Sequence, residues 1–261
     1  MVFCISIEYL INRLRKIPTT IYDGSAALTG LLLALVLPPS TPIWIVMIGA
    51  LIAIGIVKQA FGGLGHNIFN PALVGRLFIA VAYPASGTLW NLPSSWFQYN
   101  ALTTATVLAK NTPYSASSLD LFLGNIPGCI GETSALALLI GGLWLVTFKI
   151  IDLRAPLSFF LAIIVMCLFF NQPILFHLFS GGIMIGGIFM LTDYVTSPIT
   201  KEGRIIFGAC IGLLVMCIRL FSNMPEGVAF SIVIMNAFVP LLDQFGTFLH
   251  LKRYQKKYKT K

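Results

Sequence analysis

The residues that could do chemistry in this sequence are concentrated in the run Asn100 to Thr112, NALTTATVLAKNT. It contains four threonines, two asparagines and a lysine, and strongly apolar stretches lie on both sides of it. A threonine hydroxyl becomes a nucleophile or an attachment point only when a base or a modifying enzyme acts on it. A threonine cluster that favours extended backbone or caps a helix in a loop is the simpler interpretation. The spacing alone leaves both interpretations open.

A second group of candidates consists of ionisable residues inside or at the ends of apolar segments: Arg76, His177, Asp193, Arg219 and Asp243. A charge inside a bilayer is costly, so such residues usually face protein or water and are candidates for an ion route. Arg76 and Asp243 are predicted to pair. The other interpretation is a position near the membrane interface, where long side chains extend to water. It is favoured for Arg219 and His177, and for Asp193 the two interpretations are about equally open.

Other kinds of site find little support. GGLGHNIFNP (Gly62 to Pro71) is glycine-rich but lacks the spacing of a phosphate-binding loop, and its glycines and asparagines are predicted to shape a tight turn. The five cysteines are scattered without a Cys-x-x-Cys or Cys/His cluster, which argues against a metal or iron–sulfur site. Residues 85–133 contain no histidine, so a hydrolytic triad is not expected there.

The elements that must position these residues are membrane helices. The sequence is 57% hydrophobic and 10% charged with a mean hydropathy of +0.89, whereas soluble domains are about a quarter charged. Long continuous apolar runs predict helices and not barrel strands. We therefore expect an all-α integral membrane protein.

Net charge does not indicate a nucleic-acid partner. The formal charge is +8, but six of the seventeen basic residues lie in the final KRYQKKYKTK. Basic residues beside membrane segments are explained by the positive-inside rule and by contact with anionic lipid.

The chain is predicted to form a single membrane domain, 1–261, with about eight transmembrane or re-entrant helices. Their expected ranges are 25–38, 42–57, 71–84, 134–150, 155–171, 175–192, 204–220 and 227–248. The charge bias places residues 85–133, with the threonine run, on the outer or periplasmic side. It places both termini, including the basic tail 249–261, in the cytoplasm of a multi-pass inner-membrane protein.

Two parts of the chain look weakly repeated. DGSAALTGLLLALVLPPSTP followed by NIFNPALVGRLF parallels LFSGGIMIGGIFMLTDYVTSP followed by SIVIMNAFVPLLD. In each, a short helix rich in small residues is broken near a Ser/Thr-Pro, and a helix with asparagine and proline follows. Matching broken helices often mark an internal two-fold with a site between the halves. Chance similarity between glycine-rich segments is the alternative.

Four blocks resemble one family: DGSAALTGLLLALVLPP, KQAFGGLGHNIFNPALVG, HLFSGGIMIGGIFMLTDYVTSPITKEGRIIFG and PEGVAFSIVIMNAFVPLLD. Together they are similar to the D subunit of the Rnf (Rsx) electron transport complex, a family related to the B subunit of the sodium-pumping NADH:quinone oxidoreductase. The resemblance runs from Glu8 to Phe245 in the same order. Family members have further spans ahead of EYLINRLRKIP, and this chain is expected to lack them.

The resemblance implies a subunit of an ion-translocating oxidoreductase that works with other Rnf subunits and is not catalytic alone. Its members carry FMN linked through a phosphoester to a threonine, attached by a separate flavin transferase. Aligned residue by residue, the attachment motif falls on 100–108 and the acceptor on Thr106. Asn100, Thr103 and Val107 stand where the family motif has an acid, a serine and a proline.

Two other interpretations remain open at this point. One is the corresponding B subunit of a sodium-pumping NADH:quinone oxidoreductase. The other is a passive channel or solute transporter, since paired repeats with broken helices also build those proteins. A covalent flavin would distinguish the redox subunits from a channel.

Overall fold

The fold is built almost entirely from helices in the part of the chain that the structure describes. The structure is a computed structural model that describes residues 1–84, 90–91, 103–104, 117–222 and 227–259. Within these ranges the chain forms eleven α-helices and one pair of two-residue strands. The predicted all-α class is therefore confirmed.

The amino-terminal part contains four helices: α1 (Val2–Leu14), α2 (Ser25–Leu35), α3 (Ile43–Leu51) and α4 (Pro71–Ala82). A short 3₁₀ turn, Ile21–Asp23, precedes α2, and α3 continues directly into a π-helical segment, Ile52–Gln59. Strands β1 (Trp90–Asn91) and β2 (Thr103–Thr104) follow α4, and then comes the short helix α5 (Ser118–Leu123).

The carboxyl-terminal part contains the remaining helices. They are α6 (Ala135–Thr147), α7 (Arg154–Phe169), α8 (Ile174–Phe179), α9 (Ile183–Ile185), α10 (Lys201–Phe221) and α11 (Val228–Lys259). α9 continues into a second π-helical segment, Gly186–Met190. Ser180 between α8 and α9 has extended backbone, so the predicted segment 175–192 is broken, as its glycines indicated.

Among the described residues, two helices are long and apolar enough to cross a membrane: α10, with 21 residues, and the Val228–Lys252 part of α11. The other apolar helices are shorter. α2 has 11 residues and is about 16 Å long at 1.5 Å per residue, roughly half of a hydrocarbon core. Each of the eight predicted segments contains helix, but eight full crossings remain a prediction.

Helix α1 was not among the predicted segments. Its buried face includes Glu8 and Asn12 together with Cys4, and these polar residues interrupt the apolar pattern that identifies a span. α1 packs against α2, α3 and the π segment after α3. The helix is therefore part of the bundle and positions two polar side chains inside it.

The core consists of two hydrophobic clusters that divide the bundle. One joins α1, α2, α3 and α4 through buried residues such as Cys4, Leu33 and Ile54. The other joins α7, α9, α10 and α11, with Phe159 and Ile211 fully buried. α4 packs against α11, so the asparagine- and proline-bearing helix of one predicted repeat contacts the corresponding helix of the other.

Glycines allow the close packing of α7 against α10. A methyl group added to Gly212 would lie 2.6 Å from the Phe159 carbonyl oxygen and 2.8 Å from Ala162 Cβ. Gly208, one turn earlier, is equally tight against Ala155 and Ser158. The two glycines form a Gly-x-x-x-Gly pattern, which lets membrane helices approach closely.

Candidate functional site

The threonine run is described only at its first two threonines. Thr103 and Thr104 form β2, which pairs antiparallel with β1 so that Thr104 faces Trp90 and Thr103 faces Asn91. This agrees with the extended backbone expected for a threonine cluster. The predicted attachment residue Thr106, together with Asn100 and Val107, lies outside the described residues.

Carboxyl-terminal to the threonine run, the chain forms a short capped helix. Ser117 caps α5 by accepting a hydrogen bond from the Asp120 amide at 3.2 Å, and its hydroxyl donates to Asp120 Oδ2 at 2.7 Å. The hydrogen bond from the Ser117 hydroxyl lowers the pKa of the exposed Asp120 carboxyl. Asp120 is therefore ionised near neutral pH, at the helix terminus where a negative charge is favourable.

Residues Cys129–Glu132, which we call the strap, connect this region to the bundle. The Gly131 amide donates to the Leu35 carbonyl at 2.8 Å, and the Cys129 thiol donates to the Val36 carbonyl at 2.9 Å. These are carbonyls at the end of α2, where no further helical turn supplies donors. The strap thus completes the hydrogen bonding of this helix end.

Gly131 is in contact with both broken helices at once. A methyl group on this glycine would lie 2.7 Å from Leu35 Cβ on α2 and 2.8 Å from Ile185 Cδ1 on α9. Such distances are shorter than normal carbon contacts, which lie near 3.5–4.0 Å. Only a residue without a side chain fits between α2 and α9 here.

Glu132 extends the strap to the other half of the bundle. Its carboxylate is buried next to Arg76 of α4 and interacts electrostatically with Arg219 of α10. Its Oε1 lies 3.0 Å from the position that a Cβ on Gly182 would occupy. Cys129 also lies within electrostatic reach of Arg76 and Glu132. The single carboxylate of Glu132 is therefore influenced by two cations where the strap reaches α9.

A cavity of about 20 Å³ adjoins this charge cluster. Its lining residues are Val36, Leu73, Arg76, Glu132, Gly182, Ile185, Met190, Val228 and Ala229. They come from α2, α4, the strap, α9 and its π segment, and α11. The volume is sufficient for one water molecule. Because Arg76 and Arg219 both lie near Glu132, the local charge does not favour a bound cation.

Arg219 and His177 are buried, with exposed fractions of 8% and 7%, so the expectation that they extend to the interface is wrong. The Arg219 guanidinium donates to the carbonyls of His177 at 3.0 Å and Ser180 at 2.8 Å. These carbonyls lie at the carboxyl end of α8, where partial negative charge accumulates. Arg219 therefore holds the break between α8 and α9 in place.

The predicted pairing of Arg76 with Asp243 is also wrong. Asp243 Oδ1 accepts hydrogen bonds from the amides of Ile199 and Thr200, each at 2.9 Å. Asp243 therefore fixes the turn before α10, while Arg76 interacts with Glu132 and Cys129 of the strap. The other acidic candidate, Asp193, accepts a hydrogen bond from Thr196 at 2.8 Å.

A buried ion pair in the first half was missed by sequence reasoning. Lys58 Nζ donates to Glu8 Oε2 at 2.8 Å and to Oε1 at 3.0 Å, and the side chains are 2% and 0% exposed. Glu8 Oε1 also accepts from Gln59 at 3.0 Å and from Thr20 at 2.6 Å. The polar face of α1 and the adjacent pair Lys58–Gln59 are the sequence signals that could have found it.

The predicted turn after the first π segment is present. Asn70 caps α4, since its Oδ1 accepts from the amides of Ala72 at 3.1 Å and Leu73 at 3.3 Å. Gly62, Gly63 and Gly65 have positive φ angles, as a tight glycine turn requires. With its amide oriented to satisfy its neighbours, Asn236 of α11 accepts from the Asn70 amide at 3.0 Å. The two asparagines of the proposed repeat therefore meet.

Asp152, in the loop before α7, forms two salt bridges. Asp152 contacts Arg154 at 2.9 Å and Arg204 at 2.8 Å. Partial burial acts to raise the pKa of Asp152, but hydrogen bonds from the Arg154 amide and the Arg204 side chain outweigh burial, and the pKa is lowered. The carboxylate therefore stays ionised and ties α7 to the start of α10.

Metal chemistry finds no support in the described ranges. Among these residues no group of three histidine, cysteine or acidic side chains could hold a metal ion. The five cysteines are free thiols, and Cys4, Cys129 and Cys167 are buried.

Comparison with known proteins gives consistent matches over most of the chain. A family model described as the NQR2, RnfD, RnfE family matches residues 1–248. The D subunit of the Na⁺-translocating ferredoxin:NAD⁺ oxidoreductase complex of Acetobacterium woodii is 45% identical over 248 residues, which cover 92% of this chain and 77% of the relative.

Two further relatives agree. The D subunit of the proton-translocating ferredoxin:NAD⁺ oxidoreductase complex of Clostridium ljungdahlii is 43% identical, with 91% of this chain and 77% of the relative covered. The D subunit of the ion-translocating oxidoreductase complex of Stutzerimonas stutzeri is 40% identical, with 90% and 77% covered. The names of the first two relatives specify different ions, so the ion is not constant among these relatives.

Proposed function

The chain belongs to the NQR2, RnfD, RnfE family, and we propose that it is the membrane-embedded D subunit of an ion-translocating ferredoxin:NAD⁺ oxidoreductase complex. The observation that supports this most strongly is the 45% identity to a D subunit across 92% of the chain. Such a subunit acts within an enzyme complex, with the other Rnf subunits as its partners. The apolar composition and the two helices of membrane length fit this role.

The second part of the proposal is a covalently bound FMN on Thr106. Its support is the resemblance of residues 100–108 to the family's flavinylation motif, in which Thr106 takes the acceptor position. Bound there by a flavin transferase, FMN would accept electrons in pairs and release them singly, which links two-electron and one-electron carriers.

The dimensions of the bundle are compatible with a tethered flavin. Two cavities among the described residues have volumes of about 20 and 30 Å³, far below the several hundred Å³ typical of ligand pockets. Neither could enclose an isoalloxazine ring system. A flavin joined covalently to the chain needs no enclosing pocket in order to be retained.

The disposition in the membrane is part of the same proposal. We place the bundle in a bacterial inner membrane as a multi-pass protein, with 85–133 on the outer side. The basic end of α1 and the tail 249–261 lie on the cytoplasmic side, in contact with anionic lipid. On the outer side Thr106 would be accessible to a flavin transferase and to redox partners.

Two related halves complete the proposed architecture. α1 packs on α3 as α7 packs on α10. α4 then follows in the first half as α11 follows in the second. Lys58 donates to Ser25 at the start of α2, and Arg219 donates to Ser180 just before α9. A buried cation at the end of one helix thus holds the start of a broken helix in both halves, as an internal repeat predicts.

The flavin proposal is tested in the complex co-expressed with its flavin transferase. In-gel flavin fluorescence should be present in the original chain and lost in Thr106→Val. Thr104→Val, which removes a neighbouring hydroxyl at a position that the family motif leaves unspecified, should keep the fluorescence. Mass spectrometry should find an FMN adduct on the peptide that contains Thr106. Fluorescence that survives Thr106→Val would remove this residue as the attachment point, and an unmodified peptide would contradict the flavin.

A second candidate is the corresponding B subunit of a sodium-pumping NADH:quinone oxidoreductase, because the matched family also includes NQR2 proteins. The two functions differ in electron donor and acceptor. Membranes that contain the assembled complex should reduce NAD⁺ with reduced ferredoxin. Quinone reduction by NADH without a ferredoxin-linked activity would favour the second candidate.

A further inference from the structure

The strap Cys129–Glu132 closes the junction between the two broken helices. We propose that it is a movable lock: in place, it holds α2 and α9 together and seals the cavity between the halves, and its withdrawal opens that cavity to the outer side. The side of the membrane on which the cavity opens, and the need for an opening, rest on the proposed function. The contacts of the strap are independent of the proposed function.

The first argument is that Gly131, in the strap, contacts both α2 and α9. Gly131 donates its amide to Leu35 at 2.8 Å and lies against Ile185 with no room for a methyl group. The Gly131 backbone therefore lies in direct contact with both helices. A small movement of an element that touches both halves can change how they pack.

The second argument concerns hydrogen bonds. The Leu35 and Val36 carbonyls receive donors from Gly131 and Cys129. Within a bilayer, polar backbone groups must be paired by protein or by water in a cavity. Withdrawal of the strap therefore requires water to reach the end of α2. Closed and open arrangements become two distinct states, because intermediate positions leave carbonyls unpaired.

The third argument is electrostatic. Glu132 lies beside Arg76 of α4 and near Arg219 of α10, and Arg219 also fixes the break before α9. The strap is thus attached to both halves by charge as well as by packing. Two guanidinium groups against one carboxylate also oppose the passage of a cation while the strap is in place.

The native thiol of Cys129 reports the state of the lock. Cys129 is fully buried in the strap, and Cys167 is fully buried in α7. A membrane-impermeant maleimide added from the outer side to the whole complex in proteoliposomes will modify Cys129 only when the strap opens. Cys167 becomes reactive only when the bundle itself unfolds. Mass spectrometry counts modification at each cysteine without any change to the other thiols.

Gly131→Ala should open the lock and raise the labelling rate of Cys129 by about tenfold or more, since labelling of a buried group tracks the open population. Gly128→Ala is the matched control, because a methyl group there would meet only Thr133 Cγ2 at 3.4 Å. Gly128→Ala should leave the labelling rates of both Cys129 and Cys167 unchanged. Glu132→Gln, which keeps the shape and removes the charge, should also raise Cys129 labelling while Cys167 stays protected.

The proposal is overturned if Cys129 labelling stays unchanged in both Gly131→Ala and Glu132→Gln, or if Cys129 and Cys167 become reactive together. In the original complex, labelling of Cys129 should rise during turnover with the electron donor and acceptor present; no rise would also overturn it. Flavin fluorescence is measured in the same samples. Selective labelling without any flavin would refute the FMN on Thr106 and leave the lock supported.

Discussion

At the scale of single residues, the ion pair between Glu8 and Lys58 should be important for stability. Lys58→Met leaves the Glu8 carboxylate buried without its cation, which costs about 3–5 kcal/mol of unfolding free energy. The matched control is Arg154→Met, because Arg154 and its partner Asp152 are 43% and 28% exposed, and such surface pairs contribute about 1 kcal/mol or less. Thermal unfolding in detergent measures both variants.

Combining Lys58→Met with Glu8→Leu should recover part of the loss, since removal of both charges leaves no uncompensated ion. Equal unfolding temperatures for Lys58→Met and Arg154→Met would mean that the buried pair is replaced by solvent or lipid contacts.

The residue-scale predictions from sequence succeeded where partners are close in the chain. Asn70 was predicted to help shape the turn before α4, and it does so by capping the helix through amides two and three residues away.

Residues with distant partners were not predicted correctly. Arg219 binds carbonyls 39 and 42 positions earlier, and Arg76 interacts with the strap instead of Asp243. Charge type and burial were readable from the pattern, but the choice of partner depends on how the helices pack. Glu132 was not among the predicted candidates for the same reason, because its interaction with Arg76 and Arg219 depends on how the strap packs against the helices.

At the scale of elements, the predicted segments agree with the helices because long apolar runs and breaks at glycine or proline are local signals. The segment predicted at 71–84 corresponds to α4 at Pro71–Ala82, and 204–220 corresponds to α10 at Lys201–Phe221. The π segments Ile52–Gln59 and Gly186–Met190 were not predicted. Such segments depend on tertiary contacts and have no characteristic amino-acid composition. In the first of them, Lys58 and Gln59 are buried against α1.

The close approach of α7 and α10 leads to a prediction at the same scale. Gly212→Val should lower the unfolding free energy by about 1–3 kcal/mol, because the branched side chain forces the helices apart at Phe159 and Ala162. Leu213→Ala is the neighbouring control, since Leu213 is 42% exposed and faces away from that contact. Unfolding in detergent should separate the two variants clearly. A similar loss in both would mean that the glycine contact is not critical.

At the scale of the whole molecule, the sequence predicted a helical membrane protein and left open whether its weak repeat reflects two related halves. The structure has two core clusters, and α4 contacts α11 between them. The order of these helices could be anticipated, because in both parts a short helix rich in small residues precedes an asparagine-bearing helix. The connection between the halves could not. It depends on Cys129–Glu132, a short segment whose contacts with α2, α4 and α9 follow from the assembled bundle.

The orientation of the bundle in the membrane leads to a prediction about which residues are accessible from the outer side. Asn125 and Lys149 are exposed residues on either side of α6, and the charge bias places the first outside and the second inside. A membrane-impermeant maleimide should therefore label Asn125→Cys in intact spheroplasts. It should label Lys149→Cys only after the membrane is permeabilised. The original chain, with its five native cysteines, provides the background rate. Labelling of both variants from the same side would mean that α6 does not cross. Protection of Asn125→Cys in intact spheroplasts would mean that the outer position of the strap is wrong.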